Sequence, residues 1–104
     1  MGKSSRPKPE RLAEKLVQIR VGLGLSQTQM LRRLEMEDRL HYGRISEYES
    51  AKREPTLTTI LQYARVAGVH MEDIVDDELD LPSKLPGNVR YQGLKRSSKP
   101  RRNR

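Results

Sequence analysis

The chain has 104 residues, a formal net charge of +7 and 34% apolar residues, with no Phe, Trp or Cys. This length and composition predict one packed body of roughly 60–75 residues with tails, not a core running through the whole chain. Disulfides and thiolate zinc sites are excluded, and no run is apolar enough for a membrane span or a signal peptide, so the expected compartment is the cytoplasm.

The charge is unevenly placed. Lys3, Arg6 and Lys8 near the start, and Lys84, Arg90, Lys95, Arg96, Lys99, Arg101, Arg102 and Arg104 near the end, supply eleven positive charges with no acid among them. Against a total of +7, that leaves residues 10–82 at −4. Glu72, Asp73, Asp76, Asp77, Glu78 and Asp80 carry the local excess of acid. The tails alone predict weak, salt-sensitive, sequence-blind attraction to phosphates. Any sequence preference has to reside in the body.

Residues 1–9, rich in Ser, Pro and basic side chains, are expected to form a disordered arm. From Glu10, Leu12, Leu16, Ile19 and Leu23 recur at helical spacing, with Ala13 and Val17 beside them, and Gly22 and Gly24 supply the stop. Ser26 is a good N-cap for a short second helix with Met30, Leu31 and Leu34 inward. Residues 35–41 read either as a long turn or as an early start of the third helix. Ile45 and Tyr48 mark the buried stripe of that third helix. A polar loop, Ser50 to Glu54, ends at Pro55. Thr56 caps a fourth helix carrying Leu57, Ile60, Leu61, Ala64 and Ala67, which Gly68 ends. A short fifth helix from about His70 buries Met71, Ile74 and Val75. Beyond Leu81 the periodicity stops, and 82–104 reads as a basic flexible tail containing Pro and Gly. The predicted organisation is a 10–81 all-α body between two basic tails.

The order of these signals resembles the XRE, or lambda-repressor-like (Cro-type), helix-turn-helix family. The matching residues are Leu16, Ile19, Arg20, Leu25-Ser26-Gln27, Leu34, Ile45-Ser46, Glu49, Lys52-Arg53-Glu54-Pro55, Leu57, Leu61, Ala64, Gly68-Val69 and Ile74. The resemblance implies a compact five-helix DNA-binding domain of bacterial or phage type, with the helix around 40–49 entering the major groove. It also implies an ion pair between Arg20 and Glu49 that joins the first helix to the end of the third. Gln27 and Thr28, at the start of the second helix, are expected to meet backbone phosphate. Lys52 and Arg53, in the basic loop, are expected to do the same. With Ile45 and Tyr48 inward, the outward positions are Tyr42, Gly43, Arg44 and Glu47. Arg44 can fork onto guanine O6 and N7, and Glu47 can accept from a cytosine amino group. Gly43 permits close backbone approach, and Tyr42 can meet a thymine methyl or a phosphate.

The chain departs from the family pattern in one region. Leu31 stands where the family usually has Ala, and Glu35 where it usually has Gly. Gln27 to Ile45 spans eighteen residues, against about fourteen in the family's tight turn. A larger side chain on the second helix needs room, and a longer connection gives it, with Met36 or Leu40 as additional core. If the third helix instead starts near Asp38, it adds Arg39 and His41 to the candidate contacts.

The sequence therefore predicts a repressor-like, sequence-specific regulator of double-stranded DNA, cytoplasmic and nucleoid-associated. No cofactor, metal site or small-molecule ligand is indicated. An enzyme is not expected: His41 and His70 lie on different predicted elements, and no nucleophile triad or Gly-rich phosphate loop occurs. Two other readings stay open. One is a protein-interaction module of the same fold, antitoxin- or adaptor-like, with the acidic 72–80 segment as a possible contact. The other is non-specific DNA binding through the tails. Relatives often bind as homodimers on half-sites about one helical turn apart, and no strong dimer helix stands out here.

Overall fold

The computed structural model describes residues 9–87. The expected N-terminal arm, apart from Pro9, and the tail beyond residue 87 lie outside the described residues. Among these, five helices and no strand occur: α1 (Leu12–Gly22), α2 (Gln27–Arg33), α3 (Arg44–Glu49), α4 (Leu57–Ala67) and α5 (Met71–Val75). The all-α, five-helix architecture is as the sequence predicts.

The body is organised around α1, which packs against α3, α4 and α5, while α2 packs on α3 and α4 on α5. Leu12, Leu16, Ile19 and Leu23 are all buried, as their spacing requires. They meet Met30, Leu31 and Leu34 from α2 and its C-cap, Ile45 and Tyr48 from α3, and Ile74 from α5. Each fully buried aliphatic side chain among these contributes about 1.5–3 kcal/mol by leaving water.

Local chemistry sets the helix ends. Ser26 and Gln29 form a complete capping box: Gln29 N–H donates to Ser26 Oγ (3.1 Å) and Ser26 N–H to Gln29 Oε1 (2.8 Å). Thr56 caps α4 through Thr59 N–H (3.2 Å), and Gly68 closes that helix at φ +76°. The N-terminus of α1 is closed from the far end of the body. Asp77 accepts the N–H groups of Glu10 (2.9 Å) and Arg11 (3.0 Å).

The connection between α2 and α3, residues 34–43, resolves the ambiguity in the sequence. It is a long turn, and α3 begins at Arg44. The expected helix over 40–49 is therefore shorter at its N-terminal end. Arg39 and His41 lie in the connection and not on a helix. The turn supplies its own core: Met36 is buried and receives the Thr59 hydroxyl (3.7 Å to Sδ), and Leu40 is partly buried against the same cluster. Two residues with side chains, Glu35 (φ 61°) and Ala51 (φ 63°), adopt the left-handed conformation that ends α2 and α3 respectively. Glu35 is where the family pattern has Gly, and the backbone shows why Gly suits the position.

Two expectations need correction. The buried stripe of α4 is Ile60, Tyr63, Ala64, Val66 and Ala67, whereas Leu57 is 73% exposed and Leu61 only half-buried. Leu57 and Thr58 face out from the first turn of α4 while Thr59 and Ile60 of the same turn are buried, and Tyr63 one turn on is fully buried. Second, the body does not end at 81. Leu85 is buried against Gly22, and Gly87 lies so close to the end of α4 that an added Cβ would collide with the Val66 carbonyl oxygen. Residues 82–87 therefore belong to the packed body. The acidic segment, whose role the sequence leaves open, packs its backbone against the start of α1. The fully buried Lys15 ammonium donates to the carbonyls of Asp73 (2.9 Å), Asp76 (2.8 Å) and Leu79 (2.7 Å). Arg11 binds the carbonyl of Asp77 (2.8 Å) and the carboxylate of Asp80 (2.8 Å). Three carbonyl acceptors offset much of the cost of burying an ammonium.

Two outcomes follow. Glu35→Gly is expected to stabilise the fold by about 0.5–1 kcal/mol in urea unfolding, because it relieves the left-handed backbone at the cost of chain entropy. Asp77 is held below the ordinary carboxylate value, first by the backbone N–H groups of Glu10 and Arg11. A depressed folded pKa means that its stabilisation is present above the ordinary value of 3.8 and is lost as pH falls through the lowered folded value. Asp77→Asn is expected to flatten the acid limb of thermal stability below about pH 4, measured by circular dichroism.

Candidate nucleic-acid interface

Helix α3 is only six residues long, too short to persist by its own hydrogen bonds. Ile45 and Tyr48 hold it from below, and Glu49 holds its C-terminal end. Arg20 on α1 donates from Nε to Glu49 Oε2 (2.7 Å) and from Nη2 to Oε1 (3.1 Å), while Nη1 binds the Leu25 carbonyl (2.9 Å). The Glu49 side chain is only 7% exposed and that of Arg20 19%. The paired, two-point geometry is the strong form of an ion pair. The Arg20 guanidinium is held above its ordinary value, first by its hydrogen bond to Glu49, with burial pulling the other way.

Gln27 joins the same network. Its amide Nε2 donates to Glu49 Oε1 (3.0 Å). Sequence reasoning took Gln27 as a phosphate ligand separate from the Arg20–Glu49 pair. The structure instead turns its amide group inward, so that α1, α2 and α3 share one carboxylate. Thr28 is exposed in the first turn of α2.

Of the four expected base-contact positions, only Arg44 and Glu47 lie on α3. Gly43 is its N-cap, and Tyr42 precedes it, 78% exposed and stacked on His41 (ring centroids 4.5 Å, interplanar angle 24°). His41 also shapes the helix start: its Nδ1 accepts Gly43 N–H (3.0 Å) and its carbonyl accepts Arg44 N–H (2.9 Å). Arg44 Nε is buried and forms an ion pair with Glu47 Oε1 at 3.0 Å, without hydrogen-bond alignment. Arg53 Nε donates to the same Glu47 oxygen (3.2 Å).

Lys52 and Arg53 extend from the loop after α3 and are exposed. The loop is built on Glu47 as well, since its carbonyl accepts the N–H groups of Lys52 (2.9 Å) and Arg53 (3.2 Å). Arg39, Arg44 and Arg53 line one open groove together with Glu54, Thr56 and Thr58, over a floor that includes Met36, Leu40 and Tyr48. Lys52 lines the neighbouring depression with Glu10, Ala13 and Pro55. Three guanidiniums and two hydroxyls against one carboxylate suit an anionic, hydrogen-bonding partner such as a nucleic-acid strand. Among the described residues, no group of three or more His, Asp or Glu side chains is placed to hold a metal ion, and no helix is long and apolar enough to cross a membrane.

A helix-turn-helix family model matches residues 16–74. The chain belongs to the XRE, lambda-repressor-like, helix-turn-helix family. No curated protein and no solved structure gives a significant match. As a member of this family the chain is a DNA-binding helix-turn-helix regulator in the general sense. The matched span covers the core from Leu16 to Ile74 and includes the Arg20–Glu49 network. Arg11, Lys15, Asp77 and the 82–87 segment fall outside it.

Sequence reasoning missed three features of this helix-turn-helix body. The Ser26-x-x-Gln29 box was legible as a capping pattern. Lys15 carried no signal, since a lysine on an amphipathic helix ordinarily stays in water. Glu47 was read as facing a base, whereas its side chain spans two arginines.

Because Glu49 is buried and answers three side-chain nitrogens, Glu49→Ala is expected to cost about 3 kcal/mol in urea unfolding, leaving Arg20 charged and unpaired. The Arg20→Ala, Glu49→Ala double variant is expected to lose less than the sum of the two single changes.

Proposed function

We propose that this chain is a sequence-specific, double-stranded DNA-binding transcriptional regulator of repressor-like type, acting in the cytoplasm on the nucleoid. The observation that carries the reading is the placement of Arg44 as the first residue of α3, on a helix pinned at its other end by Glu49. In helix-turn-helix proteins the N-terminal residues of the recognition helix meet the base edges. Arg44 enters the major groove and forks onto guanine O6 and N7. Tyr42 and the Gly43 backbone approach the same groove from the turn. Arg53 and Lys52 grip phosphate beside it and set the register. Thr28 through its hydroxyl, and Gln27 through the second N–H of the amide that already donates to Glu49, contact phosphate from α2. Arg39 and His41 flank the groove as further contacts. Binding as a homodimer would double this reading over two half-sites.

One observation favours a protein partner instead. Glu47 lies within the arginine surface, and Glu37 pairs with Arg32 on the adjoining connection (3.7 Å). These acids dilute the positive surface that DNA would meet.

Selection from random duplex DNA at physiological salt, using the full chain, separates the two readings. The expected result is enrichment of one motif. Arg44→Ala is expected to cut the preference at one guanine by roughly tenfold to a hundredfold while leaving the chain folded. Equal retention of every duplex would assign DNA contact to the basic tails and return the body to the protein-binding reading.

A further inference from the structure

We infer that Glu47 is a positioning residue for DNA recognition: it sets the aim of Arg44 and Arg53 and reads no base itself. This inference rests on the DNA-binding reading above and assigns Glu47 the role that the sequence pattern gave to a cytosine contact.

The geometry carries it. One carboxylate oxygen, Oε1, lies 3.0 Å from Arg44 Nε and 3.2 Å from Arg53 Nε. Arg44 starts the recognition helix, and Arg53 belongs to the loop after it. Glu47 therefore ties a helix side chain to a loop side chain that are nine positions apart in sequence. The same residue fixes the loop through its main chain, where its carbonyl accepts Lys52 N–H, Arg53 N–H and the Ser50 hydroxyl (3.3 Å).

The chemistry follows from how a guanidinium divides its donors. Arg has one Nε–H and four Nη–H groups in a planar fork. Glu47 engages both arginines at Nε. The Nη pair of each makes no hydrogen bond among the described residues and stays available to an incoming acceptor. An arginine whose stem is already oriented loses less rotamer freedom on binding and presents its fork in one plane, which guanine O6 and N7 require. A carboxylate already shared by two cations is a poor acceptor for a cytosine amino group, since a base contact there would compete with both ion pairs. Its negative charge also repels phosphate, so Glu47 lowers sequence-blind affinity while improving discrimination.

The test is duplex selection with four full-length chains: wild type, Arg44→Ala, Glu47→Ala and Glu47→Gln. Thermal melting confirms that each is folded. Arg44→Ala identifies the base position that Arg44 reads. Glu47→Ala is expected to weaken the preference at that same position by roughly fivefold or more, with affinity for random DNA unchanged or raised. Glu47→Gln keeps an acceptor for Arg53 but removes the charge, and is expected to weaken the same position. The Arg44→Ala, Glu47→Ala double variant should discriminate at that position no worse than Arg44→Ala alone. If Glu47 variants instead lose preference at a different base and leave the Arg44 position intact, Glu47 reads a base and the inference is wrong. A wild-type chain that enriches no motif would overturn the regulator reading and the inference together.

Discussion

The placement of α3 depends on a single buried carboxylate, that of Glu49. A six-residue helix has too few internal hydrogen bonds to hold itself in place. Glu49 closes its C-terminal end onto Arg20 of α1 and Gln27 of α2, and Ile45 and Tyr48 fix its rotation against the core. With those constraints, the residues at its other end have a defined direction relative to the rest of the body. The network also explains why the second and third helices keep a fixed relation across a connection longer than the family pattern. Their registration comes from the shared carboxylate, so the turn is free to lengthen. Met36 and Leu40 then fill the space the longer turn opens.

The charge arrangement follows a related logic. The excess acid of the body is gathered in α5 and the segment after it, and part of it is engaged with the start of α1. It closes the N-terminus of α1 through Asp77 and faces Arg11, while the backbone of the same segment surrounds Lys15. Arg39, Arg44 and Arg53 line one groove with Glu54, and Glu47 pairs with two of the three arginines. A body that is negative by count can in this way present a local cationic edge, which is why net charge said little about function here.

Most of the helical skeleton was legible because it rests on local signals. Leu12, Leu16, Ile19 and Leu23 have only one reading as a helix face, and Ser26, Thr56 and Gly68 mark ends through chemistry contained within a few residues. The Arg20–Glu49 pairing was legible through the family pattern, since nothing local connects residues twenty-nine positions apart. What escaped the sequence were contacts set by the tertiary arrangement. Leu57 looked inward by spacing, yet it faces out from the first turn of α4. Leu85 and Gly87 lie in a stretch of tail-like composition, and their burial depends on the groove beside Gly22 and the close approach to Val66. Lys15 is buried because three carbonyls from a distant segment converge on it. At the site, outward position on a helix wheel placed Arg44 and Glu47 away from the core, and both are half-buried. It could not show that they bind each other, or that the helix starts too late to carry Tyr42 and Arg39.

The claim at the centre is that α3 and the loop after it form the DNA-reading edge. Its most direct measurement is nuclear magnetic resonance of the isotopically labelled full chain, titrated with a duplex that it retains. The side-chain Nε–H signals of Arg44 and Arg53 and the backbone amides of residues 42–53 should shift most, and the amides of the acidic segment from Asp73 to Leu79 should stay in place. Shifts confined to the chain termini, with Arg44, Arg53 and the α3 amides unmoved, would contradict the account.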